Sequence, residues 1–387
     1  MSRPLSATRL QDAGRTLLDL PRRRRTEQPG PPAPDLPARL AAMPRLPGDH
    51  HRLTGAAQLL DAPPGTLLAA IAATPDPEAV LDALAGAEGG LRGLLALRAE
   101  AAPGSALDPA LRRRLAPMAG RWTLRLERVG RESPAALLER IIATEAVHEI
   151  QGWGDLRRRL DPLDRRRWAY LHPALPNEPL VFTEVALTRG LADSVQAILF
   201  PARQGQAPDS ATFCSISACQ PGLRGIGLGD SLIQDAAAAL AREGISQVGT
   251  LSPMPGFRRR LVERAGADGL PRTEAIDALL DALPPPEDPV RAQAAAAIRR
   301  AGARYLLEDE GKRPPTDPVA RFHLGNGAEA WRLNPFADLS ANGRRRSFGL
   351  MVDYRYDRDR IRDRQAARHG NHARAVSDLL RAAARRP

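Results

Sequence analysis

The sequence has very little lysine and cysteine. Lys312 is the only lysine among 387 residues, although lysine and arginine together number 56. A nucleotide-binding P-loop needs a lysine beside its last glycine, and Lys312 lies instead in a Gly-Lys-Arg-Pro-Pro stretch, so this class of site is excluded. The two cysteines, Cys214 and Cys219, would face opposite sides of a single strand. We therefore expect free thiols in a reducing compartment and no disulfide between them.

Aromatic residues are also scarce, at 4% of the chain. This scarcity bears on the formal net charge of +11, which by itself would suit a nucleic-acid-binding protein. Proteins that read RNA combine a basic surface with exposed aromatic rings, whereas the arginines here are spread over many short runs. We therefore predict no nucleic-acid partner; steeply salt-dependent binding to duplex DNA or RNA would support that alternative.

Long apolar runs and metal-ligand patterns are missing as well. No apolar stretch reaches the ~20 residues that a membrane-spanning helix needs, so no membrane partner is expected. The histidines at 50 and 51, and those at 369 and 372, lie in polar, arginine-rich stretches without a matching cysteine or carboxylate pattern. The sequence therefore predicts no metal site.

A strand, a glycine loop and a helix follow one another in the middle of the chain. Residues 212–219 are typical of a strand, residues 224–229 read Arg-Gly-Ile-Gly-Leu-Gly, and residues 230–243 are typical of a helix. Such a loop directs free backbone N–H groups and the positive end of the helix dipole at one point, which suits an anionic ligand. A dinucleotide fingerprint fits poorly, because Asp230 stands where its third glycine is needed.

The Arg-x-x-Gly-x-Gly spacing of this loop resembles the pyrophosphate loop of the GNAT acyl-CoA superfamily. That resemblance makes coenzyme A the leading ligand. The residues expected to bind it are Arg224, Gly225, Ile226, Gly227, Leu228, Gly229 and Asp230.

Ser252 is the first candidate side chain outside the loop. Residues 246–251 are typical of the next strand, and residues 252–257 form a turn that two prolines stiffen, so the Ser252 hydroxyl is held at a strand end. In α/β sheets, ligands bind beyond the carboxyl ends of the strands. The glycine loop and Ser252 would both lie there.

His323 is the second candidate. If its surroundings are extended, Phe322 and Leu324 share one face and His323 points to the other. The following Asn326 and Gly327 are a strong signal for a tight turn.

Several strings of this sequence resemble the malonyl-CoA decarboxylase family. They follow the family's order over about the last two thirds of the chain, which is far more specific than one short motif. The matching strings are residues 145–153, 178–187, 220–226, 251–257, 320–328 and 349–356. The chain departs from the family at Gly227, where relatives have a serine or an acidic side chain, and at Pro335, where they have tryptophan.

The resemblance implies a carboxy-lyase that converts malonyl-CoA to acetyl-CoA and CO2. A bacterial, cytoplasmic location is expected because no secretory signal or membrane-spanning stretch is visible. The resemblance also implies Ser252 and His323 as the catalytic pair, with Asn326 and Tyr356 in support. The single lysine argues against an imine as the electron sink, so the thioester carbonyl would accept the electrons as an enolate. One member of the pair would stabilise the enolate and the other would return a proton, and which does which is left open. No cofactor is expected, because coenzyme A is part of the substrate.

The pattern along the chain predicts two domains. Residues 1–145 are rich in alanine, leucine and arginine at helical spacing, and later runs such as 180–187 and 194–200 are typical of strands. With the resemblance, this predicts an all-α N-terminal domain followed by a GNAT-like mixed α/β catalytic domain at 146–387, with a helical insertion at about 270–318. The resemblance also implies a homo-oligomer that associates through the helical domain.

An acyltransferase on the same scaffold is the nearest alternative. Such an enzyme would use the thioester carbonyl as an electrophile and transfer the acyl group to an amine. The feature that separates the two is His323 in Phe-His-Leu-Gly-Asn-Gly, which the decarboxylases share and ordinary acetyltransferases lack.

Overall fold

Seven strands form one mixed sheet. The computed structural model describes residues 36, 39, 40, 56–145, 147, 149–160, 164–199, 207–264 and 273–385. The strands are β1 (Arg125–Arg128), β2 (Arg165–Leu171), β3 (Val181–Thr188), β4 (Ser210–Ala218), β5 (Gln247–Pro253), β6 (Glu329–Asn334) and β7 (Met351–Tyr356). Their order across the sheet is β1-β2-β3-β4-β5-β7-β6. All neighbours are antiparallel except β4 and β5, which run parallel.

Helices precede the sheet and connect its strands. They are α1 (Pro64–Ala72), α2 (Pro77–Gly86), α3 (Gly90–Glu100), α4 (Asp108–Met118), α5 (Ala135–Thr144), α6 (Trp153–Leu160), α7 (Val195–Leu199), α8 (Leu228–Arg242), α9 (Phe257–Glu263), α10 (Thr273–Asp281), α11 (Pro289–Leu307), α12 (Pro318–Gly325), α13 (Ala341–Ser347), α14 (Ile361–Asn371) and α15 (Asp378–Arg385). None of these described helices combines the length and the apolar composition that crossing a membrane requires.

Both faces of the first half of the sheet are covered. Helix α8 packs on one face, because Leu232, Ala236 and Leu240 recur at helical spacing and are buried there. On the other face, α5 and α6 form a separate core with Ala169 and Phe182 of β2 and β3. The sheet is thereby a rigid layer on which the loops at its strand ends are mounted.

The N-terminal helices α1–α4 pack together and also contact the segment that carries the glycine loop. Helix α3 lies against the short 3-10 turn Pro221–Leu223, which precedes the glycine loop. A Cβ added to Gly222 would be 2.3 Å from the carbonyl oxygen of Leu95, so only glycine allows the two backbones to approach so closely. The helical region therefore holds the base of the loop.

The predicted fold class is confirmed: described residues 56–118 form helices, and a mixed α/β region follows. The strand predicted at 194–200 is wrong, because α7 occupies Val195–Leu199. Ser194 explains the difference, since its side chain accepts a hydrogen bond from the Ala197 N–H and caps the helix start. Strand β1 and helix α5 lie before the boundary predicted at residue 145 and pack on the sheet; the division into domains stays a prediction.

Candidate active site

The two parallel strands diverge toward their carboxyl ends. Residues Ser210 to Phe213 of β4 pair with Gln247 to Thr250 of β5, and the pairing stops there, although both strands continue. The gap that results opens into a cavity of about 710 Å³, a size typical of small-molecule sites. Most of the side chains that line it are apolar, and its polar lining includes Ser215, Ser252 and His323.

Ser252, His323 and Tyr356 form a hydrogen-bonded chain at this cavity. The Ser252 Oγ lies 3.0 Å from the His323 Nε2, and the His323 Nδ1 lies 2.8 Å from the Tyr356 hydroxyl. The Thr250 Oγ1 also lies 2.8 Å from the Ser252 Oγ. All of these groups are buried, and Ser252 and His323 also line the cavity. The structure thus brings together the two side chains that the sequence singled out and one of the two expected supports.

Burial sets the protonation state of His323. The imidazole is stacked on the Tyr354 ring with a centroid separation of 4.5 Å, and only 3% of the residue is exposed. Since a buried cation loses its hydration, burial lowers the pKa of His323 to about 3. The ring is therefore neutral at neutral pH, with one donor nitrogen and one acceptor nitrogen.

A neutral ring allows two arrangements of the chain. If Nε2 carries the hydrogen, it donates to Ser252 and the Tyr356 hydroxyl donates to Nδ1, which leaves the Ser252 O–H free to donate into the cavity. If Nδ1 carries the hydrogen, Ser252 donates to Nε2 instead. In the first arrangement the serine is a hydrogen-bond donor to a ligand, and in the second the histidine is a base.

A neutral His323 predicts an unusual pH profile. We expect kcat/KM to show no inflection near ~6.5, the pKa of an unperturbed histidine, because burial lowers the pKa of His323 to about 3. Initial rates between about pH 5 and pH 8 test this. An acid limb centred near the unperturbed value would contradict it.

The same burial affects stability. In the unfolded chain His323 gains a proton below its ordinary pKa, whereas in the folded chain its pKa is lowered, so stability is lost as pH falls through the unfolded pKa. The His323→Gln variant is therefore expected to lose less unfolding free energy than wild type between pH 7 and pH 5, by about 2 kcal/mol.

His323 lies on a helix, and the extended alternative considered for this stretch is wrong. Asp317 accepts hydrogen bonds from the N–H groups of Val319 and Ala320, and Pro318 takes the first helical position, so α12 starts there. The Asp-Pro pair was a helix-start signal in the sequence. The turn signal at Asn326 and Gly327 is confirmed, since Gly327 has a φ of 80°.

Asp317 also connects the helix of His323 to the turn after Ser252. Its second carboxylate oxygen accepts the N–H of Gly256 at 3.1 Å, and that oxygen lies 3.5 Å from the Tyr305 hydroxyl. Burial raises the pKa of Asp317, against the effect of these hydrogen bonds. One buried carboxylate thus fixes both segments that carry the serine and the histidine.

Replacing Asp317 should loosen this arrangement. We expect Asp317→Ala to lower the unfolding free energy by about 2 kcal/mol and kcat by about tenfold, since a cap and a further bond are lost and the serine–histidine geometry relaxes. Chemical unfolding and steady-state kinetics measure the two effects. Asp317→Asn keeps the helix cap but turns an N–H₂ toward the Gly256 N–H. Its unfolding free energy and its kcat should therefore lie between those of Asp317→Ala and wild type. A wild-type kcat in both variants would contradict the proposed role of Asp317.

The glycine loop lies between β4 and α8 at one side of the cavity. Gly225 and Gly227 have φ values of 74° and 72°, which few other residues adopt, and the space around their Cα atoms is open. Gly229 instead faces Phe322, where a Cβ would lie 3.1 Å from the ring. Apart from Ile226 and Asp230, the residues predicted to bind coenzyme A line the cavity.

The guanidinium of Arg224 is hydrogen-bonded and ion-paired to the N-terminal helices. It donates to the carbonyl oxygens of Arg98 and Ala101 at 2.7 and 2.6 Å, and it pairs with Asp108 at 2.9 Å. Arg112 adds a bond to the Gly225 carbonyl at 2.9 Å. The loop is therefore anchored to α3 and α4 through Arg224, although part of that residue lines the cavity.

Asp230 and Asn326 lie beside the hydrogen-bonded chain. Asp230 lies in the first turn of α8 and accepts a bond from Gln234 at 3.1 Å, while its buried Oδ1 has no partner within the described structure. Burial raises the pKa of Asp230. Asn326 is the residue that follows the last turn of α12. Burial raises the pKa of Tyr356, and the polar side chain of Asn326 opposes that rise.

Three residues of this site were not found from the sequence. Thr250 contacts Ser252, Tyr354 stacks on His323, and Asp317 holds both segments. Thr250 and Tyr354 carried a weak signal, because each lies two residues along a strand from a candidate side chain and so shares its face. The stacking of Tyr354 on His323, unlike the contact of Thr250 with Ser252 along one strand, depends on how distant segments pack.

A parallel strand pair that diverges around a glycine loop, with a serine–histidine pair in the gap, defines a mixed α/β protein with an enzyme-like site. Residues 123–386 match the family model of the malonyl-CoA decarboxylase C-terminal domain. The chain therefore belongs to the malonyl-CoA decarboxylase family, as its sequence strings predict.

Individual relatives agree. The chain is 32% identical over 349 residues to the mitochondrial malonyl-CoA decarboxylase of Anser anser anser, covering 79% of this chain and 69% of that protein. It is 34% identical to the Rattus norvegicus protein, of which it spans 63%. The crystal structure of malonyl-CoA decarboxylase from Agrobacterium vitis superposes with a TM-score of 0.80 at 33% identity, over 91% of this chain and 100% of that one. The crystal structure of malonyl-CoA decarboxylase from Rhodopseudomonas palustris superposes with a TM-score of 0.74 at 32% identity, over 90% of this chain and 98% of that one.

Proposed function

We propose that this chain converts malonyl-CoA to acetyl-CoA and CO2. The bond between the carboxylate carbon and the α-carbon breaks, its electron pair moves into the thioester carbonyl to form an enolate, and CO2 leaves. A proton then adds to the α-carbon and gives the acetyl group. The protein has to orient the thioester, stabilise the enolate oxygen and supply a proton.

The observation that carries this proposal is the chain from Ser252 through His323 to Tyr356 at a mostly apolar cavity. With the hydrogen on Nε2, the free Ser252 O–H donates to the enolate oxygen. A proton then passes along the hydrogen bonds of Tyr356, His323 and Ser252 to the α-carbon, and solvent replaces the proton that these residues give up. With the hydrogen on Nδ1, the Ser252 O–H instead donates to Nε2, so the histidine is a base and the serine hydrogen is not available to the enolate oxygen. The apolar lining favours loss of the carboxylate charge, because water is excluded.

The glycine loop is the proposed binding site of the coenzyme A diphosphate. Gly225 and Gly227 expose backbone N–H groups, and the start of α8 adds the positive end of its dipole. Gly227 has no side chain, so at this position the backbone alone would contact the phosphates.

Incubation with malonyl-CoA alone tests the function. We expect CO2 and acetyl-CoA in equal amounts without any acceptor. An N-acyltransferase on the same scaffold would need an amine and would release free coenzyme A with a malonylated product. Absence of CO2 in the presence of an amine, with malonyl transfer instead, would overturn the proposal.

We also propose a homo-oligomer that associates through the helical region and a place in the bacterial cytoplasm, in fatty-acid or malonate metabolism. The bacterial origin of the similar solved structures supports a bacterial setting, and the family resemblance supports the oligomer and the pathway. Mass measurement in solution tests the first of them.

A further inference from the structure

The cavity needs a group that recognises the free carboxylate of its substrate. Three residues with basic side chains line it: Arg224, His323 and Arg346. Arg224 is bonded to carbonyls of α3 and to Asp108, and burial lowers the pKa of His323, which leaves that ring neutral. Arg346 is the remaining cation.

Arg346 differs from its two neighbours in sequence. Arg344 pairs with Asp281 at 3.2 Å, and the Arg345 guanidinium donates to the Asn342 side chain at 2.9 Å. The Arg346 side chain has no hydrogen bond or ion pair within the described residues, and of the three arginines it alone lines the cavity.

The position of Arg346 in the fold favours the acyl end of the substrate. It lies on α13, which packs against β5, the strand of Ser252, and against α9, which follows the Ser252 turn. The glycine loop is instead held by α3 and α4. A cation on α13 therefore lies on the side of the cavity formed by the strand of Ser252, whereas the proposed diphosphate site lies at the glycine loop on the other side.

We propose that Arg346 binds the free carboxylate of the malonyl group and so distinguishes substrate from product. The inference rests on the proposed function. A carboxylate enters an apolar cavity at a large cost unless a cation or donors accompany it, and an arginine fork matches its two oxygens. Asp338, the acidic residue among those lining the cavity, accepts the Ser340 N–H at 3.0 Å and would repel the carboxylate, which increases the need for a cation.

The chemistry predicts how this contact appears in kinetics. The carboxylate loses its charge as CO2 forms, so Arg346 would stabilise bound substrate more than the transition state. Acetyl-CoA has no carboxylate and would not use the contact. Removing Arg346 should therefore weaken substrate binding without lowering kcat.

The test compares Arg346→Gln with the matched control Arg345→Gln, which removes the same charge one residue away, outside the cavity lining. For Arg346→Gln we expect KM for malonyl-CoA to rise about tenfold, as for loss of one exposed charge-assisted bond, with kcat not reduced. The inhibition constant of acetyl-CoA should stay at the wild-type value. Arg345→Gln should change neither constant, and Arg346→Lys should recover part of the affinity.

Two outcomes would overturn the inference. Equal weakening of malonyl-CoA and acetyl-CoA would mean that Arg346 contacts a phosphate, and unchanged KM would mean that it contacts neither. Failure of the wild-type chain to turn over malonyl-CoA would refute the proposed function instead. The dissociation constants of the two thioesters, titrated at equilibrium on wild type and variant, would then still decide the role of Arg346.

Discussion

Replacing Ser252 with alanine is expected to reduce kcat for malonyl-CoA decarboxylation by about 10²-fold or more, the usual scale for losing one donor or proton-transfer group of an active site. The hydroxyl lies 3.0 Å from the His323 Nε2, and Ser252 lines the cavity, so the substitution removes a cavity-lining group that bonds to the histidine. Steady-state production of acetyl-CoA measures the effect.

Two controls make the Ser252 result specific. Ser377→Ala removes a buried hydroxyl that donates to the Trp331 carbonyl at 2.6 Å, away from the cavity lining, and should leave kcat at the wild-type value. The double variant Ser252→Ala/His323→Ala should lose little more activity than either single variant, because residues that act as a unit are not additive. Full activity in Ser252→Ala, or multiplicative losses in the double variant, would refute the pair.

Replacing Glu184 with leucine is expected to have the largest effect on stability, a loss of about 3–5 kcal/mol. Glu184 is directly opposite Arg167 across β2 and β3, and their side chains are ion-paired. Only 2% of Arg167 is exposed, and its Nε and Nη1 have no partner in the described structure, so no alternative acceptor is in place once the carboxylate is gone. Urea unfolding of the purified variant measures the loss.

The double variant Arg167→Met/Glu184→Leu separates charge from packing. Because an apolar pair of similar volume needs no compensation, this variant should recover most of the lost stability. At the exposed pair of Arg259 and Glu263, Glu263→Ala should change stability by less than about 1 kcal/mol. A double variant as unstable as Glu184→Leu would show that the carboxylate acts through something other than the Arg167 charge.

The elements that local sequence encodes were predicted well. Glycines at 225 and 227 adopt left-handed backbone conformations that their residue type favours, and strands β3, β4 and β5 follow β-branched and aromatic runs. Ser252 lies within β5, which continues to Pro253, so the turn predicted at 252–257 begins later than predicted. At 194–200 the same type of run forms α7, because the Ser194 cap outweighs β-propensity there.

Arg224 illustrates what local patterns miss. Its position in the glycine loop predicted a contact with coenzyme A, and nothing in the neighbouring sequence indicates that its guanidinium bonds to α3, more than 120 residues earlier in the chain. The need for glycine at 222 is likewise not visible in the neighbouring sequence, because it comes from the Leu95 backbone that packs against this residue. Such contacts are set by helix packing over long sequence separations.

By itself the sequence determined the family, the fold class, the glycine loop and the two side chains of the candidate pair, because residue types and short spacings fix local backbone conformation and identify shared strings. Only the tertiary structure decided that Tyr356 bonds to the Nδ1 of His323, that Asp317 joins the segments of Ser252 and His323, and that the ring of His323 is neutral. The physical reason is that hydrogen-bond distances and desolvation depend on which distant segments pack together, and packing is a property of the whole fold.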